Sequence, residues 1–259
     1  MKNEDLLPKV IKIVKKAGVV LLEYQKKVKE IKKERKDFLT DADLKSNNII
    51  LAELKKLTPE IPIYSEEGKE KLQKIDKPIW VVDPLDGTVN FFYQDFSWGV
   101  SVALVKNRKT QLGVVYLPAL NQLVGVTEKG KIITKGNVVL KVRKDNKLSE
   151  AQIWTDWGKG SRAAPLLLSK FREVSLYPQL RLCCTSSLLA VASGKITAYI
   201  YPSPGPEDIA AAGLILEKAG GKVTDFQGNP WTPLSKSIIA SNGTMHSQIL
   251  EEIKNIKLK

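Results

Sequence analysis

Two carboxylates stand three residues apart, directly after an apolar stretch of the chain. Asp83 and Asp86 follow the run at residues 79–82, and Gly87 and Thr88 come next. Such a run is typical of a buried strand, so its end would present two oxygen ligands beside bare backbone N–H groups. Mg²⁺ prefers carboxylate and water oxygens and is often held by a few carboxylates plus substrate phosphate. The alternative interpretation is a polar turn, because Asp, Pro and Gly are common turn formers.

Other carboxylates that could complete a metal site lie in separate segments. Glu66 stands beside Glu67, and Asp208 falls in the first turn of a predicted helix. Taken alone, Glu66 and Glu67 fit an exposed loop. Asp208 alone fits a helix start, where a negative charge is favoured by the helix dipole. Convergence of all of them would suit phosphate-ester hydrolysis, which depends on positioning and on neutralising phosphoryl charge. Two metal ions can activate water and stabilise the leaving oxygen.

Four short segments, taken in their order along the chain, can be compared with the motifs of known proteins. They are residues 37–43 (DFLTDAD), 64–68 (YSEEG), 83–91 (DPLDGTVNF) and 207–221 (EDIAAAGLILEKAGG). In this order they resemble the motifs of the inositol monophosphatase superfamily, whose members are Mg²⁺-dependent and often lithium-sensitive phosphatases. The resemblance covers nearly the whole chain. It implies a fold of α+β and α/β character, the layered αβαβα sandwich of the sugar phosphatases, with the site between two halves.

The resemblance also implies a role for each matching residue. The expected metal ligands, for two or three Mg²⁺ ions, are Glu66, Asp83, the backbone carbonyl of Leu85, Asp86 and Asp208. The expected catalytic residues, which orient the attacking water without a covalent enzyme intermediate, are Asp43, Glu66 and Thr88. The expected substrate contacts are Asp86, Gly87, Thr88, Arg181, Thr185 and Ser186.

Two positions depart from the family pattern and bear on the substrate. Relatives specific for inositol have a glutamate seven positions before the last metal aspartate, where this chain has Tyr201. Many relatives have glycine where Cys184 stands. The missing carboxylate for sugar hydroxyls argues against inositol phosphate as the main substrate. Because archaeal-like relatives often hydrolyse both sugar classes, the resemblance implies activity on both inositol monophosphate and fructose 1,6-bisphosphate. The alternative enzyme is a 3′-phosphoadenosine 5′-phosphate phosphatase.

The composition indicates a globular protein. The chain has 259 residues with 43% hydrophobic content, enough for a substantial core. We expect no membrane span and no secretory signal, because apolar runs of the required length are missing from the sequence. The adjacent Cys183 and Cys184 favour reduced core thiols over a disulfide, so a cytoplasmic location is expected. High lysine content with few Cys, Met and His fits the hypothesis of a thermophilic source.

The net charge of +13 raises a hypothesis of a different class, a nucleic-acid-binding protein with a vestigial phosphatase fold. The basic residues are dense at residues 26–36 but interspersed with acidic ones, which favours a solvated charged surface. The expected partner is therefore a small phosphate ester, with no membrane and no nucleic acid. The resemblance implies a homodimer or a higher homo-oligomer.

Periodicity predicts the elements that must position these residues. Helices are predicted near residues 6–21, 41–57, 163–170, 185–194 and 207–219 and at the C-terminus, with strands near 79–82, 97–105, 113–117, 123–126, 152–155, 196–201 and 237–240. Thr185 is predicted to cap its helix, and His246 is predicted to be a surface residue. The pattern divides the chain into an N-terminal half, 1–147, with most metal ligands, and a C-terminal half, 148–259, with Asp208 and the substrate contacts.

Overall fold

A computed structural model describes residues 1–27, 41–68, 72, 74–157 and 162–256, together with two short strands at 32–34 and 37–39. The helices are α1 Asn3–Gln25, α2 Asp41–Leu57, α3 Thr88–Phe92, α4 Ala163–Val174, α5 Cys184–Ala192, α6 Pro206–Lys218 and α7 His246–Lys254. The strands are β1 Lys32–Glu34, β2 Asp37–Leu39, β3 Ile63–Ser65, β4 Ile79–Asp86, β5 Gly99–Lys106, β6 Lys109–Leu117, β7 Gln122–Thr127, β8 Ile132–Lys135, β9 Ile153–Asp156, β10 Gln179–Arg181, β11 Ala198–Tyr201, β12 Lys222–Thr224 and β13 Ile238–Ser241.

The first large sheet has six strands in the order β3-β4-β5-β6-β7-β8. Strands β3 and β4 are parallel, and the remaining neighbours are antiparallel. Because side chains alternate between the faces of a strand, Trp80 and Val82 join the core beneath α1 and α2, whereas Val81 joins the core beneath α5 and α6. Strand β4 is therefore buried on both faces, which explains its continuous apolar run.

The second large sheet has five strands in the order β10-β9-β11-β13-β12. Strands β10, β9 and β11 are parallel, and β13 pairs antiparallel with both β11 and β12. One face shares a core with α5 and α6, through Tyr199 and Tyr201, and the other packs on α4 and α7, through Ile153 and Phe171. Helices, sheet, helices, sheet and helices thus form successive layers, and the expected αβαβα sandwich is confirmed.

Most predicted elements are present with shifted ends. The helix at 41–57 has the predicted bounds, whereas the strand predicted at 97–105 runs from Gly99 to Lys106. Strands of three or four residues such as β3, β8 and β12 are too short to show a clear periodicity.

Among the described residues, no helix combines the length and the apolar character that a membrane span requires. Most of the charged stretch at 26–36 lies outside the residues whose side chains are described.

Two local predictions are wrong. Helix α5 begins at Cys184 with Cys183 as its N-cap, so Thr185 lies inside the helix. His246 is buried at the start of α7, and its ring nitrogens lie 2.8 Å from the hydroxyl oxygens of Thr224 and of Ser241. Burial lowers the pKa of His246 to about 4, so the ring is neutral at physiological pH. A single histidine in an amphipathic helix gives no sign of such hydroxyl partners, because they come from other elements.

Candidate active site

The segment that joins β4 to α3 has a distorted backbone. The pairing of β4 with β5 shifts register between Asp83 and Asp86, and the backbone N–H of Leu85 donates to Asp83 Oδ1 at 3.0 Å. Gly87 has a φ of 83° and is the N-cap of α3. A Cβ at this position would stand 2.8 Å from the carbonyl oxygen of Ser97, so conformation and space both require glycine.

Three carboxylates from two distant segments converge at this turn. Asp83, Asp86 and Asp208, hereafter the acidic cluster, each offer an oxygen, and these oxygens lie within 4.8 Å of one another. Asp83 and Asp86 are buried. Asp208 lies in the first turn of α6, where its Oδ2 accepts the backbone N–H of Gly205 at 2.5 Å. The sandwich thus joins β4 of one sheet to a helix between the two sheets.

The charges of the acidic cluster oppose one another. Burial raises the pKa of Asp83 well above its usual range, and the nearby carboxylates of Glu66, Asp86 and Asp208 raise it further. Burial also raises the pKa of Asp208, with Glu207 as the strongest neighbouring charge. A cation at this position would offset the repulsion. The donors are all oxygen atoms, so the residues present fit Mg²⁺.

Asp86 is held in place by the start of α5. Its Oδ2 accepts the backbone N–H and the hydroxyl of Thr185, both at 2.6 Å. Its Oδ1 accepts the backbone N–H of Cys184 at 3.3 Å, and the Cys183 thiol lies 3.2 Å from Oδ2. Burial raises the pKa of Asp86, and the bonds from Thr185 oppose that rise. The hydroxyl of Thr185, expected to contact substrate, therefore contacts Asp86.

Glu66 lies in the turn after β3, next to the acidic cluster. Its backbone N–H donates to the carbonyl oxygen of Val82 at 3.1 Å, immediately before Asp83. The Ser65 hydroxyl donates to Asn47 Oδ1 at 2.7 Å, which joins this strand to α2. The charge of Glu66 contributes to the raised pKa values of all three carboxyls in the acidic cluster.

The other expected catalytic residues meet on the α2 side of the turn. The Thr88 hydroxyl lies 3.1 Å from the carbonyl oxygen of Leu85 and 3.4 Å from Asp43 Oδ1. Asp43 is buried in the first turn of α2. The Ser46 hydroxyl, one turn further along α2, donates to the carbonyl oxygen of Pro84 at 2.7 Å. Tertiary packing thus brings α2 against the segment that carries Asp83 and Asp86.

Arg181 and Ser186 line a cavity of about 110 Å³ beside the acidic cluster. Cys183, whose thiol contacts Asp86, forms part of the same wall. The guanidinium carbon of Arg181 lies 4.3 Å from the centroid of the Trp154 ring, a cation–π arrangement. Its Nη2 donates to Gln179 Oε1. Arg181 is thus held on Trp154 at the edge of this cavity.

One carboxylate at the site was not among the predicted residues. Glu207 is buried, and its Oε2 accepts the hydroxyl of Tyr64 at 3.0 Å. Glu207 directly precedes Asp208, so adjacency to a predicted ligand was the available signal. The partner could not be identified from sequence, because Tyr64 is 143 residues away.

The fold and the site together define the class, a layered α/β phosphatase whose site is built from carboxylates. A family model described as the inositol monophosphatase family matches residues 2–258. The chain therefore belongs to the inositol monophosphatase family, whose members hydrolyse small phosphate esters.

Named relatives agree with this assignment. A fructose-1,6-bisphosphatase/inositol-1-monophosphatase of Thermotoga maritima is 30% identical over 259 residues, which cover 97% of each chain. A Nus factor SuhB of Xylella fastidiosa is 31% identical over 227 residues, covering 85% of this chain and 81% of that protein. The solved structure of an IMPase from Thermotoga maritima superposes with a TM-score of 0.86 at 27% identity, covering 96% of this chain and 97% of that one.

Proposed function

We propose that this chain is a Mg²⁺-dependent phosphomonoesterase for small sugar or polyol phosphates, with inositol monophosphate and fructose 1,6-bisphosphate as its main substrates. The observation that carries the proposal is the acidic cluster, whose oxygens lie within 4.8 Å of one another. The Thermotoga maritima relative named for both activities supports the pair of substrates.

In this proposal two or three Mg²⁺ ions are held by Glu66, Asp83, the Leu85 carbonyl, Asp86 and Asp208. When bound, Mg²⁺ neutralises charge on phosphoryl oxygens and lowers the pKa of water. Two of these ligands are held by backbone N–H groups: those of Thr185 and Cys184 donate to Asp86, and that of Gly205 donates to Asp208. Such supporting bonds orient ligands and tune their basicity.

The chain's own residues would position the attacking water. The Thr88 hydroxyl donates to the Leu85 carbonyl or to Asp43, so its oxygen is left to accept a hydrogen bond from water. Glu66, on the neighbouring turn, would hold the same water from a second direction. Two fixed acceptors orient a lone pair of the water toward phosphorus. Orientation of this kind lowers the activation barrier, because the water has already lost its freedom of movement before the reaction begins.

Substrate selection would lie with α5 and with Tyr201. Tyr201 is buried on β11, where a carboxylate would otherwise bind sugar hydroxyls. Without that carboxylate, the site would bind fewer sugar hydroxyls and would discriminate less between sugar rings. This supports activity on both inositol and fructose phosphates. Gly87, Thr88, Arg181 and Ser186 complete the proposed substrate contacts, together with Asp86, whereas Thr185 would act through Asp86, to which its hydroxyl donates. The net charge of +13 attracts anionic substrates.

Phosphate release from a defined panel tests the proposal. The panel holds inositol 1-phosphate, fructose 1,6-bisphosphate and 3′-phosphoadenosine 5′-phosphate, each with Mg²⁺, with EDTA and with added Li⁺. We expect Mg²⁺-dependent release from the first two with comparable kcat/KM. A much higher kcat/KM for the nucleotide would instead assign the alternative, a nucleotide phosphatase. No release from any substrate would contradict the proposed function.

The nucleic-acid-binding alternative has one observation in its favour besides charge, the Xylella fastidiosa relative named Nus factor SuhB. It predicts RNA or DNA binding that weakens steeply with salt. The acidic cluster favours catalysis, because buried carboxylates that repel one another are costly in a vestigial site. A homodimer or higher homo-oligomer, the cytoplasmic location and the two halves 1–147 and 148–259 remain parts of the proposal, and light scattering of the purified protein tests the oligomeric state.

A further inference from the structure

The hydrogen bond between Tyr64 and Glu207 joins two of the segments that carry the proposed metal ligands. Tyr64 lies on β3, two residues before Glu66, and Glu207 directly precedes Asp208 on α6. The hydroxyl of Tyr64 lies 3.0 Å from Glu207 Oε2. This bond therefore links the β3 turn, at the edge of the six-stranded sheet, to the helix between the sheets.

The surroundings of Glu207 hold its backbone and leave room for its carboxylate. The carbonyl oxygen of Glu207 accepts the hydroxyl of Ser101 from β5 at 3.3 Å. A Cβ at Gly205 would overlap the Glu207 carboxylate, so glycine leaves the space that this side chain occupies. Glu207 is also the strongest neighbouring charge that raises the pKa of Asp208. Its negative charge therefore reaches the acidic cluster although it stands outside that cluster.

We propose that Glu207 is a positioning residue of the divalent-cation site: its hydrogen bond from Tyr64 holds the Glu66 turn against the Asp208 helix, and its charge strengthens cation binding. The inference rests on the proposed function in one respect, that the acidic cluster binds Mg²⁺. Residues that orient metal ligands from outside the ligand set typically change metal affinity by about 10- to 100-fold.

Calorimetric Mg²⁺ titration of the full-length protein tests this proposal without reference to turnover. The variants are Glu207→Gln, which removes the charge but keeps an acceptor for Tyr64, Tyr64→Phe, which removes the donor, and the double variant. Two matched controls make the same replacements elsewhere. Glu217→Gln is on the same helix, where Glu217 accepts the indole N–H of Trp231 at 2.7 Å, and Tyr116→Phe removes the hydroxyl of a buried tyrosine on β6.

We expect each single variant to weaken Mg²⁺ binding by about tenfold, at the lower end of the range for supporting residues. The double variant should lose about the product of the two single effects, because Glu207→Gln removes the charge whereas Tyr64→Phe removes the hydrogen bond. Both controls should bind like the wild type. Saturating Mg²⁺ should restore the kcat/KM of the variants, which a merely misfolded site would not allow.

Distinct results would overturn the inference and the proposed function. If the wild type binds Mg²⁺ and the Glu207 and Tyr64 variants bind equally well, the positioning role is wrong while the metal site stands. The same conclusion follows if the variants melt at lower temperature in EDTA with unchanged Mg²⁺ affinity. If the wild type itself binds no Mg²⁺, the proposed function fails together with the inference.

Discussion

Asp86→Asn should separate two effects of the acidic cluster: the charge repulsion that destabilises the cation-free protein, and the binding of Mg²⁺. The replacement keeps the shape of the side chain and removes one negative charge. Asparagine can place its oxygen toward Thr185, which donates to Asp86 Oδ2 twice at 2.6 Å. Its amide nitrogen then replaces the oxygen that accepts the longer bond, 3.3 Å from the Cys184 nitrogen. The lost contact is thus the weakest one.

The expected gain in stability comes from reduced repulsion between the carboxylates of the acidic cluster. Two unit charges no more than 4.8 Å apart repel by at least about 3.5 kcal/mol at an effective dielectric constant of about 20. The carboxyls already relieve much of this repulsion by binding protons, as their raised pKa values indicate. After subtracting about 1 kcal/mol for the lost hydrogen bond, we expect the cation-free variant to be more stable by about 1–2 kcal/mol. For a chain of this size the melting temperature rises by roughly 2–8 °C.

The response to Mg²⁺ should change in the opposite direction. A ligand at 100 times its Kd stabilises the folded state by about 2.7 kcal/mol, and the wild type should show a gain of this order. The variant should show almost none, and its phosphatase activity should be abolished.

Thermal unfolding followed by circular dichroism, in EDTA and in a Mg²⁺ series, measures both effects. Asp76→Asn serves as the control, because Asp76 is an exposed carboxylate in the loop before β4. A variant at Asp86 that melts below the wild type in EDTA, yet keeps the full Mg²⁺-induced shift, would refute the assignment of Asp86 as a ligand in a repulsive cluster. Near-wild-type kcat would refute it equally.

Three further predictions concern the same turn. Thr88→Ala should lower kcat by at least about 100-fold with little loss of Mg²⁺ affinity, because the hydroxyl faces the Leu85 carbonyl and Asp43; equal losses in a parallel calorimetric titration would indicate a structural role. Gly87→Ala should destabilise the protein by about 1–3 kcal/mol in urea unfolding, because a non-glycine residue is strained at positive φ and the Cβ meets the Ser97 carbonyl; an unchanged midpoint would contradict the geometry. The carboxyls of the acidic cluster have folded-state pKa values above the usual 3.8, so the folded state binds more protons and their contribution to stability falls as pH rises above about 4. The stabilisation gained from Mg²⁺ should therefore increase with pH, and a gain that is constant from pH 5 to pH 8 would argue against the raised values.

Sequence patterns identified the long elements because hydrophobic periodicity reports burial directly. Helix α2 was predicted with its observed bounds, and β4 was recognised from its continuous apolar run. The four motifs predicted the layered fold and supplied candidate residues from distant segments. The structure brings Asp83, Asp86 and Asp208 together and sets Thr88 beside Asp43.

Sequence alone determined which residue types the site contains, the backbone freedom that Gly87 supplies, and the family to which the motifs belong. Only the tertiary structure decided which groups meet. Thr185 reads as a helix cap but donates its hydroxyl to Asp86, and His246 reads as a surface residue but is enclosed by Thr224 and Ser241. Glu207 gains its partner Tyr64 from a strand 143 residues away. Local patterns report local conformation and burial, whereas a hydrogen bond between distant segments depends on how the sheets and helices pack, and that packing is a property of the whole chain.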